Sequence, residues 1–234
     1  RIPGKKIVIN LAPADMHKKG SGYDLPIALG IIAASAQRDL PLLDKFLIMG
    51  ELGLDGTIRE VPGALPTVEL AAKRGMIGCI LPRQSALEAS EYNIIDVYCV
   101  ETMEEVLEIL SGEVAREDLL ARNLRTSART GAGQGISEAM DFSEIIGQEG
   151  AKRGLEIAAA GGHNAILIGS PGSGKSSLAK AMSTILPPLN FQESLQTSKI
   201  YSVAGKGNPL GGLMKVRPFR APHYSASIAA LIGG

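Results

Sequence analysis

Short apolar runs alternate with segments of helical spacing over the first 112 residues, and this pattern predicts an α/β domain. Asp55-Gly56 is a typical hairpin turn, Asp24 is suited to begin a helix, and glycines end the later helices. The predicted strands are residues 7–11, 46–53, 57–61, a run around Ile80, and 96–100. The predicted helices are residues 25–37, 64–74 and 103–110.

The pattern changes after residue 112. Residues 113–125 are charged, and residues 126–137 are rich in Gly, Ser, Thr and Ala, which is the composition of a linker. We therefore predict a linker over 113–141 and a second domain over 142–234. In that domain we expect a helix over 148–160, a buried strand over 165–168, and a helix that ends before Pro187-Pro188.

The predicted strand and helix flank a segment that matches the phosphate-binding pattern GxxxxGK[ST]. Glycines allow several backbone N–H groups to converge on phosphate oxygens, the lysine reaches the β and γ phosphates, and the last hydroxyl binds Mg²⁺. The alternative is a Gly/Ser turn that only resembles this loop. The expected ATP-binding residues are Gly169, Ser170, Pro171, Gly172, Ser173, Gly174, Lys175 and Ser176, with Ser176 as the Mg²⁺ ligand.

Composition excludes some classes of protein. The longest apolar stretch, residues 25–36, is interrupted by Pro26 and is too short to cross a bilayer, and no signal-peptide pattern is present, so we expect a cytoplasmic protein. Cys79 and Cys99 each lie in an apolar run, which favours buried thiols over a disulfide. The three histidines are scattered and suggest no zinc cluster.

The formal net charge is zero, yet Glu193 is the last acidic residue and the segment after it is basic. Basic and aromatic side chains alternate there, a mixture that attracts phosphates and stacks on bases. The alternative is a glycine-rich insertion with solvated charges. The candidate DNA contacts are Lys199, Lys206, Lys215, Arg217, Phe219, Arg220 and Tyr224.

Several motifs together resemble the magnesium-chelatase-like AAA+ family of YifB/ComM type. In the second domain they are residues 145–148 (IIGQ), 162–164 (GHN), the phosphate loop and 217–223 (RPFRAPH). Residues 10–15, 22–27 and 50–56 resemble the ChlI-type domain of that family. The resemblance implies a ribosomal S5-like, Lon-peptidase-like α/β domain over 1–112, followed by a partial P-loop NTPase (AAA+) α/β domain over 142–234, truncated before its Walker B motif.

The same resemblance implies further residues and partners. Ile145, Ile146 and Gly147 match the segment that lies near the adenine, ATP and Mg²⁺ are the expected cofactors, and a homo-oligomer, a hexamer, is expected. No carboxylate ends an apolar strand after the loop, and the chain starts without Met. We therefore expect a fragment that binds ATP without hydrolysing it, with the Walker B acid and the arginine finger outside the chain and no catalytic residue to assign.

Three functions remain open from the sequence. The first is an ATP-driven motor on DNA, a helicase for branch migration in natural transformation, as the resemblance implies. The second is a magnesium-chelatase-type motor subunit that remodels a protein partner. The third is a Lon-like peptidase, against which Ser21 is one residue out of register and Pro66 and Val68 stand where a lysine base is needed.

Overall fold

The computed structural model describes residues 4, 6–11, 20–128, 140–208, 211–229 and 233. Within the range 20–128, side chains are described up to residue 124. The described strands are β1 (Phe46–Ile48), β2 (Glu51–Leu52), β3 (Ile58–Arg59), β4 (Gly78–Pro82) and β5 (Asp96–Val100). The described α-helices are α1 (Asp24–Ala34), α2 (Ala64–Lys73), α3 (Arg83–Glu88), α4 (Met103–Ser111), α5 (Ala121–Ala128), α6 (Glu149–Gly161), α7 (Lys175–Ile185) and α8 (Phe191–Val203).

A parallel sheet of order β1-β4-β5 forms the centre of the first part of the chain. Every residue of the middle strand, β4, is buried, as expected when both faces of a parallel sheet are covered. Its side chains alternate between two cores: Cys79 and Leu81 belong to one, and Ile80 to the other. The strand is therefore a continuous apolar run instead of an alternating one.

Local sequence accounts for several of these elements. Thr102 and Glu105 form a reciprocal capping box at the start of α4, and Gly112, with φ of 70°, ends that helix. Strands β2 and β3 pair antiparallel around Asp55-Gly56, as predicted, and Asp55 accepts a hydrogen bond from the Thr57 backbone N–H. The bounds of β5 are those predicted from the sequence.

Three local predictions were wrong. Tyr23, not Asp24, is the N-cap of α1, and no side chain caps it, because backbone carbonyls of Ser21 and Gly50 accept the first N–H groups. Residues 7–11 form no strand. Nor do residues 165–168, where Ile166 and Ile168 are 83% and 88% exposed. A strand requires a neighbour to satisfy its backbone groups, and among the described residues no strand pairs with either run.

The described residues divide into two compact units. The first, unit 1, contains the described part of Arg1–Ala132 together with Gln192–Met214. The second, unit 2, contains the described part of Gly133–Phe191 and Lys215–Gly234. Most of the residues predicted as a linker, 129–139, lie outside the described residues, whereas 121–128 form α5.

Unit 2 has a small core of its own. Helices α6 and α7 pack together through Leu155, Leu178 and Ala181, and Phe142 from a preceding 3₁₀ turn joins them. The side chain of Asp141 caps that turn in a second capping box with Glu144. This core fixes α7, and therefore the loop before it, relative to residues 141–148.

Helix α8 belongs to unit 1, although the sequence assigned residues 142–234 to one domain. Leu195 and Leu213 are buried in the same core as Cys79 and Leu81. The backbone confirms the attachment: Gly63 N donates to Ser202 O at 3.0 Å, and Gly212 N donates to Leu87 O at 2.7 Å. The chain therefore leaves unit 2 after α7 and returns to it after residue 214.

Candidate functional site

The loop of residues 169–176 has the backbone conformation that the phosphate-binding pattern requires. Gly172 and Gly174 have φ of 80° and 84°, in the left-handed region that favours glycine. Gly169 does not, but a Cβ there would lie 3.0 Å from the Ser173 hydroxyl, a tight contact that glycine avoids. Gly174 is the N-cap of α7, and the positive end of that helix begins at Lys175.

The amine of Lys175 lies on the loop itself. It donates to the carbonyl oxygens of Gly169 at 2.9 Å and Ser170 at 2.7 Å, and to the Ser173 hydroxyl at 3.3 Å. Neutral carbonyls are weaker acceptors for an ammonium group than phosphate oxygens are. Triphosphate oxygens at this loop would compete well for the lysine, and the exposed Ser176 hydroxyl follows it on the same helix.

A cavity of about 360 Å³ lies between this loop and the segment before α6. Its walls combine apolar side chains, of which Ile146 is 96% exposed and Met140 43% exposed, with the backbone of two loop glycines. An apolar wall next to a phosphate-binding backbone suits a nucleoside with a phosphate chain. The lining residues are Met140, Ile145, Ile146, Gln148, Gly172, Ser173, Gly174, Ser177 and Leu178.

The cavity includes some predicted residues and several unpredicted ones. Ile145 and Ile146 line it, whereas Gly147, with φ of 72°, lies between lining residues and is not among them. Sequence reasoning missed Met140, Gln148, Ser177 and Leu178. The last two follow the loop along α7 and could have been found from the helical period, but the approach of residues 140 and 148 to the loop depends on tertiary packing.

The described carboxylates of unit 2 are all engaged near their own positions. Asp141 and Glu144 form the capping box, Glu149 pairs with Lys152, and Glu156 pairs with Arg153. Hydrogen bonds from the side chain and then the backbone N–H of Ser143 lower the pKa of the Asp141 carboxyl. None of these four side chains lines the cavity, so within the described part of unit 2 no carboxylate stands ready to orient a water molecule.

The candidate DNA contacts are divided between the two units. Lys199 and Lys206 belong to unit 1, and the other five belong to unit 2. Lys199 is only 24% exposed, pairs with Glu69 at 2.6 Å, and lies over the Tyr92 ring. Its charge is used inside unit 1, which makes it the poorest of the seven candidates.

Several of the remaining candidates have more exposed side chains. Tyr224 is 94% exposed and its ring contacts that of His223 in a tilted arrangement, with 4.2 Å between ring centroids, and Phe219 is 43% exposed. Arg217 donates through Nε to the Pro187 carbonyl at 2.7 Å, which attaches this segment to the end of α7.

The residues considered for a peptidase have other contacts in the part of the chain that the structure describes. The Ser21 hydroxyl donates to the Glu51 carboxylate, which also lies 3.7 Å from Arg59, and Pro66 is part of α2. The two cysteines are free and buried, as predicted, and burial raises the pKa of each thiol to about 12.

Two features are absent from the described residues. None of the helices is long and apolar enough to cross a membrane. No group of three or more His, Cys, Asp or Glu side chains is arranged to hold a metal ion in the described ranges.

Comparison with known proteins covers both halves of the chain. Residues 141–234 match the family described as "Magnesium chelatase, subunit ChlI", and residues 1–85 match "Subunit ChlI of Mg-chelatase". Over 72 residues the chain is also 46% identical to an archaeal Lon protease of Methanothermobacter thermautotrophicus, a match to 30% of this chain and 11% of that protein.

Two relatives align along the whole chain. The protein YifB of Salmonella typhimurium is 41% identical over 233 residues, and competence protein ComM of Haemophilus influenzae is 40% identical over 234 residues. Each alignment includes 100% of this chain, which spans 44% and 45% of the length of these relatives. The chain therefore belongs to the Mg-chelatase ChlI-like family of YifB and ComM.

Proposed function

We propose that this chain is the nucleotide-binding part of a cytoplasmic ATPase motor, in which residues 169–176 hold the phosphates of MgATP. The observation that carries the proposal is the loop conformation: two glycines with positive φ lie directly before the N-terminus of α7, where Lys175 begins the helix. Ser176 is the proposed Mg²⁺ ligand. Ile145 to Gly147, with Met140, are proposed to flank the adenine.

The cofactor also fits the steric properties of the loop. A Cβ added to Gly172 or Gly174 would meet no atom within 4 Å, so the backbone faces open space at both positions. The bound ATP supplies the phosphoryl chemistry. Hydrolysis is proposed for the longer protein, because this chain spans less than half the length of these relatives. A hexameric assembly and an S5-like fold for unit 1 are proposed from the family.

The proposal predicts that Lys175→Ala lowers the affinity of the full-length protein for MgATP. Losing a charge-assisted hydrogen bond to phosphate is expected to cost about 2 kcal/mol, which is on the order of 30-fold in Kd. Equilibrium binding of labelled ATP measures the loss. Lys180→Ala removes an exposed lysine from the same helix and should leave Kd unchanged; equal Kd values for all three proteins would reject the loop as the site.

We further propose that the motor acts on DNA. Support comes from the basic and aromatic segment around residues 215–224, the exposed Tyr224, and the attachment of Arg217 to the end of α7. The name of the Haemophilus relative, competence protein, points in the same direction for that protein. Lys215, Arg217 and Arg220 would neutralise phosphates, and Phe219 or Tyr224 would stack on bases.

Replacing Lys215, Arg217 and Arg220 together by alanine should weaken DNA binding and flatten its salt dependence. Three fewer released counterions would change the slope of log K against log salt by about 2 to 3. The measurement is DNA binding by the full-length protein across a salt series. A control with Lys45, Lys73 and Arg74 replaced removes the same charge from unit 1 and should keep the slope.

A magnesium-chelatase-type motor that remodels a protein is the second candidate, favoured by both family descriptions. An unchanged salt slope in the triple variant, with ATP binding intact, would favour it over the DNA motor. The Lon likeness of the first unit is not proposed to bring peptidase activity, since the Ser21 hydroxyl donates to the Glu51 carboxylate, and Pro66 and Val68 stand where a lysine base is needed.

A further inference from the structure

Gln148 bridges the two walls of the cavity beside the phosphate loop. Its side-chain Nε2 donates a hydrogen bond to the backbone carbonyl of Ser173 at 3.3 Å. The carbonyl can only accept, so the amide nitrogen must face it. Both residues line the cavity, and they are 25 positions apart in the chain.

The backbone of Gln148 directs its side chain away from its own helix. Gln148 is the N-cap of α6 with φ of 61°, a left-handed conformation that is uncommon for residues other than glycine. No side-chain hydrogen bond caps α6, while the Gln148 carbonyl accepts from Lys152 N at 2.9 Å. The Gln148 amide group therefore donates its hydrogen bond to the loop and does not cap α6.

The peptide bond between Ser173 and Gly174 links this hydrogen bond to the ligand side of the loop. A trans peptide is planar, so its C=O and its N–H point to opposite sides. A Ser173 carbonyl held by Gln148 therefore turns the Gly174 N–H towards the other side of the loop, the side proposed for the phosphates.

The space around the Cβ position of Gly174 is open. A Cβ on Gly174 would meet no atom within 4 Å, and its φ of 84° is one that glycine leaves easily. The next peptide is held within α7, because Leu178 N donates to the Gly174 carbonyl at 2.9 Å. The Gln148 amide is the described contact that fixes the Ser173 carbonyl on the loop side.

We infer that Gln148 is a positioning residue, which orients the Gly174 N–H for the β-phosphate by holding the Ser173 carbonyl. This inference rests on the proposed function. It predicts an effect on phosphate binding without any contact between Gln148 and phosphate, and no effect on recognition of the base.

Two variants separate the amide from the backbone. Gln148→Met keeps the length of the side chain and removes its donor, and Gln148→Gly removes the donor while relieving the left-handed strain. Binding of labelled MgATP to the full-length protein, and its displacement by magnesium pyrophosphate, are measured for each variant. Pyrophosphate has no base, so its inhibition constant reports the phosphate site alone.

Both variants are expected to weaken MgATP and pyrophosphate by the same factor, about 10-fold, the value of one hydrogen bond to a charged group. Wild-type affinity in Gln148→Gly would overturn the inference, since backbone strain would then be the cause in Gln148→Met. Unchanged pyrophosphate binding would also overturn it, because the residue would then act on the nucleoside. Thermal unfolding confirms that each variant is folded.

Lys175→Ala, measured alongside, separates this inference from the proposed function. If Lys175→Ala loses affinity while both Gln148 variants bind as the wild type does, only the positioning role is rejected. If Lys175→Ala also binds normally, the nucleotide site itself is rejected, and the role of Gln148 with it.

Discussion

At the scale of single residues, Glu88 is the most unusual side chain of unit 1. It lines a cavity of about 310 Å³ with Glu60, Gln84 and Asn208. Its Oε2 atom and the Ser202 hydroxyl oxygen are buried without a hydrogen-bond partner among the described residues. Burial, reinforced by the charge of Glu60, raises the pKa of the Glu88 carboxyl, and the nearby Ser202 hydroxyl opposes this increase.

Glu88→Gln should therefore stabilise the protein at neutral pH. Glutamine keeps the shape of the side chain and removes its charge, and relief of a half-buried charge is expected to gain about 1 kcal/mol. Thermal unfolding of the full-length protein measures it. Glu60→Gln removes a charge from the exposed side of the same cavity and should have a smaller effect.

The pH dependence of this gain has a defined sign. A carboxyl whose pKa is higher in the folded state binds its proton more tightly there, so wild-type stability rises as pH falls towards the ordinary value of 4.5. The stability advantage of Glu88→Gln over the wild type should shrink over that pH range. An advantage that stays constant from neutral pH to about pH 4.5 would show that the charge of Glu88 is not its cause.

The role of a single residue was predictable where a local sequence motif requires that residue type. Gly169, Gly172 and Gly174 were predicted to tolerate positive φ and allow close approach; Gly172 and Gly174 have positive φ, and Gly169 does not. Gln148 was not predicted, because a left-handed glutamine whose side chain reaches a loop 25 positions away has no local signature. The contacts of Lys199 were not predicted for a similar reason, since Glu69 and Tyr92, its partners, are remote in the sequence.

At the scale of elements, prediction succeeded where the signals are local. The hairpin at Asp55-Gly56, the strand β5 and the glycine after α4 follow from turn residues, apolar runs and caps. Helix α3 was missed because it has only six residues and follows β4 directly. The run 165–168 was predicted as a strand from its composition, but strand formation depends on a partner that composition does not supply.

At the scale of the whole molecule, the division of the chain differs from the predicted one. Sequence composition indicated a boundary near residue 142. In the described residues the chain also passes from unit 2 back to unit 1 over Gln192–Met214. Leu195 and Leu213 carry this attachment through burial, aided by the pairing of Lys199 with Glu69. An excursion of this kind is set by packing between segments distant in sequence, which periodicity alone does not reveal.

The ion pair of Lys199 with Glu69 also gives α8 a pH dependence of its own. Hydrogen bonding from Lys199, and then from Lys73, lowers the pKa of the Glu69 carboxyl. A carboxyl with a lowered pKa contributes stability above its ordinary value of 4.5, and that contribution is lost as pH falls through the folded-state pKa. The attachment of α8 is therefore stronger at neutral pH than in acid.

Hydrogen exchange of the full-length protein, with and without MgATP, tests the central claim most directly. If the phosphates lie on residues 169–176 and the base lies beside residues 145–147, MgATP will slow exchange in both segments, and Lys175→Ala will reduce this protection at the same ATP concentration. Binding of MgATP that protects other segments and leaves both of these unchanged would contradict the account.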